Sequence, residues 1–285
     1  MAGAWDQLGT VEPKALTEAR LQAHHAIQWA TRLARANLAP MPDDRQTNLG
    51  WDRADRALLS HDCAGGKSDA LRVGLRVETM TLIVQRGSAI TDQFPLDGHT
   101  HAEAGAWLDQ IAGAAGLALP GGATLPYAIP MHPVGDGAPY ACAARRGEFA
   151  VLAAWFDSAD EILTAMRSSL PAGAASPVRC WPHHFDIATL WTLGEGDAET
   201  APSVGIGMCP GDNYYPQPYF YVSPWPPPAP KKLPALSSPG GWHTCGFVGA
   251  VLSGDTIVPM PDRRGGVRRF LDTASDIASR LTAAR

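Results

Sequence analysis

The side chains able to do chemistry crowd into the last third of this chain. Trp181, Pro182, His183, His184, Phe185 and Asp186 run consecutively, and about 25 residues later come Pro210, Gly211, Asp212 and Asn213. From Tyr214 to Trp225, six of twelve residues are aromatic, and four of the six tyrosines of the chain lie there. If 182–188 is a strand, His184 and Asp186 project to one face, with His183 and Phe185 on the other. An imidazole and a carboxylate two residues apart can share a metal ion, or the carboxylate can orient the imidazole for proton transfer. The same pair serves equally as a structural hydrogen bond beside Trp181. His243 offers a second imidazole. His184, Asp186 and His243 would then form a facial set for a divalent metal, with Asp212 as base to a bound water.

The strand pattern at 203–209 places Val204, Ile206 and Met208 on one face and Gly205, Gly207 and Cys209 on the other. Small residues leave room for a ligand or for a closely packed neighbour. Downstream, Tyr219, Tyr221 and Ser223 share one face, with Phe220 and Val222 opposite. Phenols facing a glycine-lined strand make an amphipathic pocket, to which Trp225 adds a further ring. Tyrosines in strands also serve plain packing. Arg263, ahead of the last helix, is a candidate for holding an anion at the helix start. The competing reading is a solvated basic face paired with Asp262 or Asp272. His24, His25, His99 and His101 read as ordinary surface histidines of their helices.

These residues need elements to position them. Pro13 opens a helix in which Leu16, Ala19, Ala23, Ile27, Ala30 and Ala34 recur at three- and four-residue steps, ending near Leu38. The stretch 50–60 fits either a short helix or a strand that brings Trp51 to a core. Strands are expected at 70–77 and 80–85. Thr100 and Glu103 form a capping box ahead of a helix carrying Trp107, Leu108 and Ile111. A second long helical pattern covers 140–170, with Gly147 and the run 158–161 suggesting a kink or two helices. Strand-like stretches follow at 180–191, 203–209, 218–223 and 246–252. The segment 224–241 has too many prolines for a helix or a central strand, so an extended loop is expected. A final helix puts Val267, Phe270, Leu271, Ala274, Ile277, Ala278 and Leu281 on one face.

Composition narrows the classes. The chain has 285 residues, 45% hydrophobic and 18% charged, with a net charge of −5. Mixed charges of that balance argue against nucleic-acid binding, and no apolar run approaches the length of a membrane helix. Five cysteines, odd in number and without a close pair, point to reduced thiols rather than a disulfide or zinc framework. With no secretory pattern at the start, the expected location is the cytoplasm. Nucleotide-binding, hydrolase-elbow and metalloprotease motifs are missing from the sequence.

Ser176 to Ala188, the turn Pro210–Gly211–Asp212, the stretch Gln217–Pro218–Tyr219–Phe220–Tyr221 and Pro224–Trp225 together resemble an uncharacterised bacterial family. Its members carry an H-x-F-D-[LI]-A segment, a P-G-D turn, a P-x-[FY]-Y strand and a closing F-L helix, and the likeness spans residues 170–285. The resemblance implies a shared site around His184, Asp186 and Asp212 and supplies no substrate. This chain departs from the family where an acidic residue and a histidine precede the P-G-D turn, since 203–208 has neither.

The expected fold is therefore α+β, with an antiparallel or mixed sheet in two related helix–strands–helix halves packed as one unit. The halves are 1–120 and 138–285, joined by a Gly/Pro-rich connection at 121–137. The leading expectation is a protein that binds a small polar or anionic molecule in an aromatic-lined pocket. His183, His184, Asp186, Asp212, Tyr219, Tyr221, Trp225, His243 and Arg263 are its candidate ligand contacts. The alternatives are a metal-assisted hydrolase built on His184, Asp186 and His243, and an interaction module that docks a protein through 224–234. No cofactor is required beyond a divalent metal in the hydrolase reading.

Overall fold

Alternation, capping and proline placement set the elements of the computed structural model, which describes residues 3–65, 70–194, 200–237 and 239–283. In chain order they are α1 (Ala4–Gln7), α2 (Thr17–Asn37), β1 (Gly50–Asp52), β2 (Ala57–Leu59), β3 (Leu71–Arg76), β4 (Thr81–Arg86), β5 (Ala89–Pro95) and α3 (His101–Ala115). There follow α4 (Arg146–Arg167), β6 (Arg179–Trp181), β7 (Asp186–Thr192), β8 (Ser203–Cys209) and β9 (Tyr219–Trp225). The chain continues through β10 (Gly241–His243), β11 (Gly249–Ser253), α5 (Gly254–Ile257) and α6 (Arg263–Ala283). The fold is α+β, with two antiparallel sheets. One runs β1-β2-β3-β4-β5 and the other β10-β11-β9-β8-β7-β6. Long helix, strands, long helix is the order in both halves of the chain.

Two compact units result. One comprises Met1–Lys14, Ala154–Arg179 and Asp186–Arg285; the other comprises Ala15–Ala153 and Cys180–Phe185. In the second unit, Ala19, Ala23, Ile27, Ala30 and Ala34 of α2 are fully buried, as their spacing predicts. The stretch 50–60 resolves into the β1–β2 hairpin, with Trp51 buried on β1. Thr100 caps α3: its Oγ1 accepts from Glu103 N, and the Glu103 carboxylate accepts from Thr100 N at 2.7 Å. β5 is a strand that the sequence pattern missed. Its residues alternate between exposed and half-buried, so no apolar stripe marks it.

In the first unit, α6 packs on β9, β8 and β11, with Val267, Phe270, Leu271, Ala274 and Ala278 fully buried. On that helical side Phe220 lies between Trp5 and Trp155, with ring centroids 6.4 Å from each. The opposite face of the same sheet carries Tyr219, Tyr221, Ser223 and Trp225 on β9 beside Gly205, Gly207 and Cys209 on β8.

Three expectations are corrected. The pattern at 140–170 holds one helix, α4, after a 3-10 turn at Ala143–Arg145. Ser158 is no break but a fully buried helix residue. The stretch 180–191 is two strands, because the chain turns at 182–185 and Phe185 closes the turn with φ 59°. Pro182 cannot extend the ladder of β6, so His184 and Asp186 do not share a strand. The third concerns Pro224 and Trp225, which belong to β9 rather than to a loop. β11 pairs with β9 only over Tyr219–Val222, so the missing N–H of Pro224 lies beyond that ladder while its partner Val204 lies in β8.

Candidate functional site

The helix-free face of the larger sheet gathers most of the expected site residues. Register places Asp186, Ala188, Leu190 and Thr192 of β7 on it, next to Gly207 and Gly205 of β8, next to Tyr221 and Ser223 of β9. Tyr221 donates its hydroxyl to Asp186 Oδ2 across Gly207. A Cβ on Gly207 would lie 2.6 Å from the Tyr221 hydroxyl oxygen and 2.8 Å from Ala188 Cβ, so glycine is what lets the phenol reach the carboxylate. Gly205 differs. Among the described residues, a Cβ there would meet nothing nearer than Ser223 O at 3.8 Å. The face is thus closed over Gly207 and open over Gly205, with half-buried Leu190, Thr192, Tyr221 and Ser223 around the opening. Trp225 is 50% exposed on the same row of β9.

The deep end is a hydrogen-bonded aromatic cluster organised by Asp212. Its Oδ1 accepts from Tyr214 N and Tyr215 N, both at 2.8 Å, and its Oδ2 accepts from the Tyr219 hydroxyl at 2.6 Å. Asp212 N also donates to Tyr215 O. The turn signal at 210–213 is therefore real, and the carboxylate within it holds the loop that follows. Tyr219 is buried, with its hydroxyl pushed up in pKa by burial first and then by Cys209 and Asp212. Burial likewise drives the Cys209 thiol up, which leaves it protonated and inert. Tyr215 donates to His243 Nδ1 at 3.0 Å, and the His243 ring stacks on Phe247 at 4.2 Å.

Other candidates lie elsewhere. His183 and His184 belong to the unit that holds α2, where His183 packs near Tyr127 and Trp181 and His184 is exposed. The facial set of His184, Asp186 and His243 is not assembled. Both ring nitrogens of His243 are engaged, by Tyr215 and by Cys245 O. Among the described residues no three His, Cys, Asp or Glu side chains converge as a metal set. Arg263 holds no anion site open either: its guanidinium donates to Val258 O and Trp5 O, each at 2.9 Å. The carboxylate of Asp262 already caps α6 by accepting from Gly265 N.

The sequence reading missed the role of the histidines on α2 and α3. His24 and His25 are buried, not superficial. His24 Nε2 donates to Pro182 O at 2.9 Å, Gln28 donates to the same carbonyl, and the His24 ring stacks on Phe185 at 5.1 Å. Together they hold the 182–185 turn on α2. His25 donates to Pro130 O, and His101 stacks on Trp29 while bonding the Tyr140 hydroxyl. The available signal was that α2 carries Gln22, His24, His25, Gln28 and Thr31 off its alanine stripe, so polar residues occupy several faces. All five are buried.

No family model, curated protein or solved structure matches this chain.

Two predictions follow from this geometry. Gly207→Ala should lower stability by about 1–3 kcal/mol by driving the Tyr221 phenol off Asp186. Gly205→Ala should leave it unchanged or raise it by about 0.5–1 kcal/mol. Equal urea midpoints for the two variants would contradict the asymmetry. Burial holds His24, His101 and His183 at about 4, below the ordinary imidazole value of 6.5. The unfolded chain then binds more protons in that interval, so stability is complete above about pH 6.5 and is lost as pH falls towards 4. Urea midpoints measured from pH 7 to 4 should fall, and less steeply in His24→Gln; identical slopes would contradict the assignment.

Proposed function

We propose that this protein binds a small polar molecule on the helix-free sheet face, over Gly205. The observation that carries the reading is the open floor at Gly205, between half-buried Leu190 and Ser223 and beside the exposed indole of Trp225. A concave patch of apolar rings with a few fixed polar groups is the usual make-up of a small-molecule site. Trp225 brings an apolar ring here, and Asp186 and Tyr221 bring the fixed polar groups. The motifs that resemble the bacterial family support the same place: Asp186, Asp212, Tyr219 and Tyr221 come from separate stretches of sequence and meet on this face.

Of the two competing readings, the hydrolase lacks its assembled ligand set. The docking reading meets a proline segment tied to its own unit, because Trp242 donates to Pro234 O at 2.7 Å. Thermal-shift screening of small polar metabolites tests the proposal when run beside Gly205→Val, which fills the open floor with a residue suited to a strand. Ligands that raise the melting temperature of the natural protein should lose that effect in the variant. Stabilisation of equal size in both proteins would place the site elsewhere and overturn the reading.

A further inference from the structure

We infer that the ligand of this face is a neutral ring-shaped polyol, a pyranose sugar or a short chain of them; this rests on the site reading above. Three features of the face lead there, beginning with its shape. Tyr221 and Trp225 stand on the same row of β9, four residues and so roughly 13 Å apart along the strand. Midway between them on that row stands Ser223, paired with Gly205 on β8. The opening is thus a flat floor with an aromatic ring at each end, long enough for one or two six-membered rings laid edge to edge.

The second feature is the chemistry of its ends. The Trp225 indole offers an apolar plane on which the C–H face of a sugar ring can lie while its hydroxyls stay in water. At the other end Tyr221 donates its proton to Asp186, so the phenol–carboxylate pair presents acceptor oxygens to sugar hydroxyls. Ser223 and Thr192 flank the opening. The Ser223 hydroxyl donates to Val248 O and so offers an acceptor, while a threonine hydroxyl such as that of Thr192 is both donor and acceptor.

Charge is the third. Two carboxylates, Asp186 and Asp212, belong to this face, and an anion would meet their repulsion. The guanidinium that an anion would need, Arg263, is committed to backbone carbonyls. A simple cation is poorly served as well. Asp212 already accepts from the Tyr219 hydroxyl and two backbone N–H groups, and Asp186 from Tyr221. Carboxylates fixed by phenols suit hydroxyl groups, which exchange hydrogen bonds without adding charge.

The test is titration of the full chain with a panel of neutral mono- and disaccharides, with glucuronate and glucose 6-phosphate as anionic probes and glucosamine and spermidine as cationic ones. Binding is read by calorimetry in the natural protein, Trp225→Ala and Gly205→Val. Circular dichroism and melting curves confirm that both variants fold. The expected result is saturable binding of at least one neutral sugar, weakened tenfold or more in Trp225→Ala and abolished in Gly205→Val. If only charged probes bind and Gly205→Val abolishes that binding, the polyol inference falls while the site reading stands. If no probe gives binding sensitive to Gly205→Val, both fall.

Discussion

The larger sheet depends on β9 carrying aromatic rings on both of its faces. Phe220 points to the helical side, between Trp5 and Trp155, and is wholly buried. Tyr219 and Tyr221 point the other way, where they pack with Cys209, Val251 and Phe247. A phenol that is buried, as in Tyr219, or half-buried, as in Tyr221, gains from a hydrogen-bond acceptor. The chain supplies one for each: Asp212 for Tyr219 and Asp186 for Tyr221. That requirement explains why carboxylates sit on a sheet face, why glycine occupies position 207, and why the loop after β8 winds back over the strand it precedes.

Satisfying those phenols leaves an uneven surface. Over Gly207 the Tyr221 ring fills the space, whereas among the described residues a Cβ over Gly205 would meet only Ser223 O, at 3.8 Å. The same residue type on the same row of one strand therefore serves two ends: close packing at one position and an open floor two residues away. Ser223 and Trp225 continue the β9 row past the opening, so the polar cluster grades into an exposed aromatic edge. The open floor on this face follows from how the aromatic row is packed.

Much of this was legible in the sequence. Period-two alternation assigned Tyr219, Tyr221 and Ser223 to one face and Gly205 and Gly207 to the facing strand, because local backbone geometry fixes that pattern. Capping by Thr100 and the stripes of α2 and α6 were legible for the same reason. What failed was non-local. Whether Pro224 could sit in a strand depended on where β11 stops pairing, which no local pattern encodes. Arg263 was a plausible anion ligand until the fold supplied the carbonyls of Trp5 and Val258. The pairing of His184 with Asp186 rested on an unbroken strand, and the left-handed turn at Phe185 removed it. The α2 histidines were passed over because their partners, Pro130 and Pro182, lie more than a hundred residues away in sequence.

The most direct test of the account is nuclear magnetic resonance of protein carrying nitrogen-15 tryptophan, with the Trp225 indole signal assigned by Trp225→Phe. The chain has nine tryptophans, so every indole acts as a separate reporter. On titration with a bound small molecule, the Trp225 signal should shift most and saturate, while buried Trp155 and Trp51 hold still. A ligand that binds and moves those buried signals while leaving Trp225 unchanged would contradict the account.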